Sequence, residues 1–465
     1  MPSTLDMAMK PHLVTATEIA QWANTLQARA VLPKLIRKLA LASKIPFHAI
    51  RFSSDEGIQE PDWDGFLDSP SKTTFIPKGR SGWEVSAQKT VRVKADKDIA
   101  TRTKAIRAKE RKGITYVCVT TRRWADKKSW VKTHNAKSKK RWRKVIAYDA
   151  TDLETWLESA PVSVHVWLSE LLGKKPLEVA SIEATWSAWA DVTKPVLSPR
   201  LIKAGRAAQV ENLIAQFDGP AQPITIKGET RDEVQAFVAA TILGMPAPKN
   251  EETVSRTLVV KSRAAWDLYA MSEVPLILVA MFDERNGIEQ AVFNGHTVII
   301  PMDRSDGDHQ ATIELPPIDR PEAQEALREM GCNANRVREL ALSGRKSFMS
   351  LRRQLATVPA IHAPKWSKSE AAGVLVPALL VGSWSDRNEE DRALLSRLSG
   401  QPYEEIRARW LEWNSTADTP LKLVGGTWYV VSREDLWRLL AKHLTAEHLE
   451  NFSGIAREVL SKAHP

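Results

Sequence analysis

Two cysteines in 465 residues, Cys118 and Cys332, are too few for a disulfide framework or a cysteine-rich zinc cluster. Their scarcity fits a reducing compartment, and a cytoplasmic location is expected. No apolar run approaches the eighteen residues of a bilayer-spanning helix, and residues 1–30 hold no signal-peptide core. A soluble protein with no membrane partner is the expectation. The phosphate-binding pattern GxxxxGK[ST] is also missing, which argues against an ATP-driven switch.

What is present is length and unevenly placed charge. A chain of 465 residues exceeds one core, so two to four domains are expected. The net charge of +10 is not shared out. Residues 1–175 carry 33 Lys and Arg against 18 Asp and Glu, whereas the remainder carries 33 against 38. A polyanion partner for the amino-terminal part follows, because counterion release rewards each neutralised phosphate. An ordinary basic surface is the competing reading.

Thr15-Ala-Thr-Glu18 has capping-box spacing, and a second helix is expected from Pro33. Glu18 reads as a cap and not as a metal ligand. A strand over 47–52 leads to an acidic loop with Asp55, Glu56 and Glu60. Residues 75–102 then read as a strand, a turn at Lys78–Gly82, a second strand over 83–88 and a helix over 94–107. Alternation turns Trp83, Val85 and Ala87 to a core and Glu84, Ser86 and Gln88 to the other face. Asp64, in the run Asp62-Trp63-Asp64-Gly65, stands at the end of another strand. Two carboxylates on one sheet, followed by a lysine-bearing helix, form a candidate metal site for phosphodiester cleavage. Lys94, Asp98 and Arg102 share one helix face, for which a solvated salt-bridged row is the bland reading.

Residues 114–120 and 145–149 read as buried strands. The tract between them interleaves cations with indoles. Arg122, Arg123, Lys127, Lys128, Lys139, Lys140 and Arg141 are candidate nucleic-acid contacts, while Trp124 and Trp142 are expected to pack inward.

From residue 176 the pattern changes. Strands at 224–226, 257–261, 275–282 and 297–302 alternate with helices, predicting a parallel α/β sheet. The turn Gly228–Glu233 sits where a nucleotide loop would sit but lacks the second glycine and the lysine, so no NTP-binding residue is assigned and ATP is not expected. Asp283 resembles a Walker-B acid by position alone. Beyond residue 319 lie helical segments. Ser367–Glu370 reads as a helix cap, with helices at 388–398 and from Pro402. A hairpin about Gly425-Gly426 and a helix capped by Ser432–Asp435 follow. Three helices and a hairpin make winged-helix order, and the mixed charge of the third helix favours protein packing over DNA reading. The expected domains are 1–175, 176–318, 319–364 and 365–465.

WDGFLDS, FIPKGRSGWEVS, KADKDIATRT, TYVCVTTRRWADKKSW and YDATDLETWLESAPVSVHVWLSELLG closely resemble the amino-terminal restriction-endonuclease-like domain of bacterial antiviral STAND proteins. The resemblance covers roughly residues 30–173. ITIKGETRDEVQAFVAATIL and TWYVVSREDLWRLLAKHL look like the NTPase-like region and helical module of the same proteins. It implies an α/β fold: a restriction-endonuclease-like mixed sheet with flanking helices, a degenerate P-loop-NTPase-like α/β domain, and a helical, winged-helix-like module. It also implies Mrr-type PD-(D/E)xK chemistry on DNA with Mg²⁺ or Mn²⁺. Asp64 and Glu84 would then be the metal-binding acids. The pattern's lysine falls at Ser86, so Lys94 is the substitute candidate, with Gln88, Asp98 and Arg102 in support. Self-association, a separate sensor protein or a phage trigger are the further partners implied, since the family continues into a long sensor and this sequence ends at Pro465. A catalytically silent, nuclease-like DNA-binding or regulatory protein is the alternative, favoured by Ser86.

Overall fold

The computed structural model describes residues 13–43, 45–52, 63–136, 141–176, 178–307, 310–414 and 418–463. Asp55, Glu56, Glu60, Asp62, Lys139 and Lys140 lie outside them. The protein is α/β, with mixed sheets flanked by helices. Its chain divides into two compact units. One comprises Met1–Ala184, Met245–Leu278 and Phe282–Thr297, the other Thr185–Gly244, Val279–Met281 and Val298–Pro465. Among the described residues no helix is long and apolar enough to cross a membrane.

The amino-terminal sheet places strands β1 (Ala49–Phe52), β2 (Gly65–Ser69), β3 (Gly79–Ser86), β4 (Thr115–Thr120) and β5 (Lys144–Tyr148) in sequential order. β1, β2 and β3 pair antiparallel, whereas β3, β4 and β5 pair parallel. The two modes follow from the connections. Short links allow antiparallel return, and helices carry the chain between the parallel strands. These helices are α3 (Val91–Ala105) with the short α4 (Ala108–Arg111), and α5 (Lys127–Asn135). All six residues of β4 are buried, as its unbroken apolar run requires.

Each sheet face has its own core. Trp83, Val117 and Val119 pack with α1 (Ala16–Trp22), α2 (Leu26–Ala42), α6 (Ala150–Ser159) and α7 (Val162–Leu171). On the opposite face Tyr116, Cys118 and Ala147 pack with Ala95 and Ile99 of α3 and with Trp124, Trp130 and Trp142. Burying an indole removes about 150–250 Å² from water, roughly 4–6 kcal/mol gross at about 25 cal/mol/Å². The indoles of the basic tract are therefore packing elements, Trp130 included. Trp130 also donates to Asp96 at 2.7 Å.

Two expectations for this sheet change. The predicted turn at Lys78–Gly82 is strand, because Ser81 and Gly82 pair with Leu67 and Phe66 of β2. Gly82 serves close approach: a Cβ there would lie 2.4 Å from the Trp63 ring. Of the two glycines in that stretch, Gly79, at φ +80°, takes the left-handed backbone that glycine tolerates. Likewise α2 does not begin at Pro33. Thr25 caps it, accepting from the Ala28 N–H at 3.2 Å, and Pro33 sits inside the helix. Proline has no N–H to offer, so the Arg29 carbonyl loses its helical partner. The capping box Thr15–Glu18 forms as read, and Glu18 meets Lys174 at 2.6 Å.

Strands β6 (Val179–Ser181), β7 (Pro223–Lys227), β8 (Thr257–Val260), β9 (Ile277–Ala280), β10 (Thr297–Met302) and β11 (Ile313–Glu314) form a sheet ordered β11-β7-β10-β9-β8-β6. β7 pairs parallel with β10 and β11, but β6 pairs antiparallel with β8, so the sheet is mixed where a parallel one was expected. The short strand β6 carried no alternation long enough to read. Farther on, Ser369 and not Ser367 caps the next helical stretch, accepting from the Ala371 N–H at 3.1 Å. That stretch is 3-10 over Glu370–Leu375 and becomes α only over Val376–Val381, with Pro377 in the first turn. Strand β12 (Ser383–Ser385) joins the hairpin of β13 (Leu421–Val424) and β14 (Thr427–Val430) in the order β12-β14-β13. Gly425 and Gly426, at φ +60° and +86°, make its two-residue turn. Ser432 caps Arg433–Leu440 as the spacing predicted.

Candidate active site

The site forms where β3 outruns β2. Gly65 pairs with Trp83, so Glu84, Val85 and Ser86 have no β2 residue opposite them. Asp64, one residue before β2, fills part of the gap. Its Oδ2 accepts the Val85 N–H at 2.9 Å, a hydrogen bond that a longer β2 would otherwise supply. The carboxylate of Asp64 is thereby fixed beside the strand that carries Glu84.

Glu84 lies on the face that α3 covers and is only 5% exposed. Its Oε1 accepts from Arg102 Nε, and the Arg102 guanidinium lies 5.2 Å from the centre of the Trp63 ring. Burial, and after it the charge of Asp64, push the Glu84 carboxyl up to about 8, against the pull of Arg102. Burial also raises Asp64, opposed by the Val85 N–H and by the charges of Lys94 and Arg102. The charge of Asp64 therefore reaches Glu84. Cys118 stands opposite Glu84 on β4, where burial drives its thiol far up and leaves it inert as a nucleophile.

The row on α3 is built as its spacing suggests but is not fully solvated. Lys94 Nζ bonds Asp98 Oδ1 at 2.6 Å, and both side chains are partly buried. The cation in contact with Glu84 is thus Arg102, while Lys94 acts on Asp64 through space. Ser86 accepts the Gln88 N–H through its hydroxyl at 3.1 Å. A cavity of about 180 Å³ opens here, lined by Asp64, Ser86, Gln88, Lys94 and Arg29 among others. Arg29 was not anticipated from the sequence. The signal was present in Thr25, a cap ahead of apolar residues at helical spacing, and the proline at 33 obscured it.

The pair has the donor set for a hard divalent ion. Mg²⁺ is commonly held by one or two carboxylates, with waters and substrate phosphate oxygens completing its shell. Asp64 and Glu84 are two carboxylates of that kind. Among the described residues no group of three or more His, Cys, Asp or Glu side chains gathers into a ready cage.

The basic tract separates into two kinds of residue. Arg122 is structural: it donates to Asn24 Oδ1 at 2.8 Å and to the carbonyls of Ala23 and Ala87 at 2.9 and 3.2 Å. Lys127 bonds Asp149 at 2.8 Å and also Asp152, and these partners outweigh its burial and raise its pKa. Arg123, bonded to Thr17 Oγ1 at 2.9 Å, is exposed, as are Lys128 and Arg141.

At the turn after β7, carboxylates occupy the loop. Glu233 takes the Glu229 N–H at 3.0 Å and pairs with buried Arg206 at 2.6 Å. Glu229 itself accepts from the Phe348 N–H at 3.0 Å and from the Ser432 hydroxyl. Burial, then repulsion from Glu233, raise Glu229 to about 7. Asp283 is exposed in a turn after β9.

No protein-family model matches the chain, and no curated protein matches it.

Proposed function

We propose that the amino-terminal unit is a metal-dependent DNA endonuclease of the PD-(D/E)xK type, with Asp64 and Glu84 as the acids that hold Mg²⁺ or Mn²⁺. The observation that carries this reading is the pair itself: Asp64 just before β2 and Glu84 on β3, each raised by burial, with Asp64 raising Glu84 further. A bound divalent ion would polarise the phosphate and lower the pKa of its water. Asp64, held by the Val85 N–H, keeps its place with or without the ion. Glu84, which here accepts from Arg102, would hold the ion in its ionised form. Lys94 and Arg102 then offset the negative charge that develops on the phosphate oxygens. In keeping with the sequence resemblance, such a domain would be the effector of an anti-phage defence protein, with a phage component or separate sensor as trigger. No nucleotide is assigned to the turn after β7, whose loop is filled by Glu229 and Glu233.

A second reading, a silent nuclease-like DNA-binding protein, is favoured by Ser86 at the lysine position and by Arg102 on Glu84. One experiment decides between them. Purified protein is incubated with supercoiled plasmid and Mg²⁺ or Mn²⁺, beside Asp64→Asn and Glu84→Gln, and Mn²⁺ binding is measured by calorimetry in parallel. Cleavage and Mn²⁺ binding that both variants lose support the nuclease. Plasmid retained uncut by a wild-type protein that binds no Mn²⁺ rejects it.

A further inference from the structure

The amino-terminal unit carries a second charged feature, away from the acid pair. A groove of about 940 Å³ runs along β5, the edge strand of the sheet, between α5 and the loop that leads into β3. Lys72 and Lys78 line it from the loop, Lys128 and Lys132 from α5, and Arg143 and Lys144 from the start of β5. All six are exposed, and among the described residues none of them is ion-paired. Among the described residues no acidic side chain lines the groove. Lys127 also lines it, with its charge spent on Asp149 and Asp152.

Two features say what such a groove takes. An edge strand invites an extended peptide to add to the sheet. Here that position is taken, because the Asn135 amide donates to the Val145 carbonyl at 2.8 Å and accepts the Val145 N–H at 2.9 Å. A single-stranded nucleic acid needs exposed aromatic faces for its bases. The indoles of this region, Trp124, Trp130 and Trp142, are all buried. Among the described residues, six cations without ion pairs around a groove lined by no acid, with strand addition blocked and the indoles buried, match a duplex backbone read through its phosphates.

We infer that this β5-edge groove is a sequence-independent docking site for duplex DNA. The inference rests on the nuclease reading for its choice of DNA, but its test does not depend on cleavage. Binding of a labelled 20-base-pair duplex to the full chain is measured in EDTA over a salt series. With up to six phosphate contacts, the slope of log K against log salt is expected to approach about −5. Lys128→Gln/Lys132→Gln and Lys72→Gln/Lys78→Gln should each weaken binding roughly tenfold and make the slope shallower by about two. A duplex of scrambled sequence should bind equally. Unchanged affinity and slope in both lysine variants overturn the groove, as does tighter binding of single-stranded DNA or of poly-glutamate at equal salt. Loss of binding in the lysine variants of a protein that cuts no plasmid would sustain the groove and remove only the nuclease.

Discussion

Glu84 and Glu229 stand at comparable places, each at the carboxyl end of an inner strand beside a following helix, and each with a carboxyl raised by burial and a neighbouring acid. Their partners differ. Glu229 receives a backbone N–H and a hydroxyl, neutral donors that it satisfies permanently. Glu84 instead meets a charged donor, Arg102, and its neighbour Asp64, which raises it, lines a cavity that Glu84 itself does not. One buried carboxylate closes a loop with neutral donors, and the other is held in an ion pair. Burial of an acid alone does not mark a reactive site, because the chemistry of its partners decides.

The sharpest break of this comparison is removal of one site acid. Asp64→Asn or Glu84→Gln should lower metal-dependent cleavage by about a hundredfold or more, measured on supercoiled plasmid, since a lost ligand exceeds the 10–100-fold cost of a lost ligand partner. Glu229→Ala should leave cleavage intact. It should instead cost about 1–3 kcal/mol in chemical denaturation, through the Phe348 N–H and Ser432 hydroxyl left without their acceptor. Equal loss of cleavage in both variants would erase the distinction.

A smaller effect tests the cation. Lys94→Ala should reduce cleavage about tenfold by removing charge stabilisation, and Ser86→Lys in that background should restore part of it. The restored rate, compared across the three proteins, shows whether the cavity accepts a lysine from β3 in place of one from α3.

The least effect is a pH slope. Because Glu84 is raised from 4.5 to about 8, the folded protein retains a proton that the unfolded chain releases. Its contribution is fully present below about pH 4.5 and declines as pH rises to about 8, by at most about 1.4 kcal/mol per pH unit. Denaturation of the metal-free protein across pH 5–8 should show this decline, and Glu84→Gln should flatten it. Glu229→Gln should flatten only the portion below about 7. Metal binding near neutral pH should also release a proton in the wild type and not in Glu84→Gln.

Local features of the chain were legible where neighbours in sequence are neighbours in space. The Thr15–Glu18 box, the Gly425-Gly426 hairpin, the Ser432 cap and the buried run of β4 all formed as read. The Lys94–Asp98 pair was legible for the same reason. Gly82 misled because a glycine kept for the approach of Trp63 is written the same way as one kept for a turn. Pro33 misled because proline marks a helix start more often than it sits within one.

The sequence by itself determined the alternation that carries Glu84 on a strand, the excess of cations before residue 176, and the caps and turns that punctuate the helices. Those properties depend on period and composition. Tertiary structure alone decided that Arg102 and not Lys94 meets Glu84, that Asp64 completes the unpaired edge of β3, that the tryptophans of the basic tract face inward, and that Lys72 joins Lys132 and Lys144 along one groove. Each joins residues far apart in the chain through strand register and the stacking of helix on sheet, and a carboxyl's proton follows from the charges that this stacking brings near.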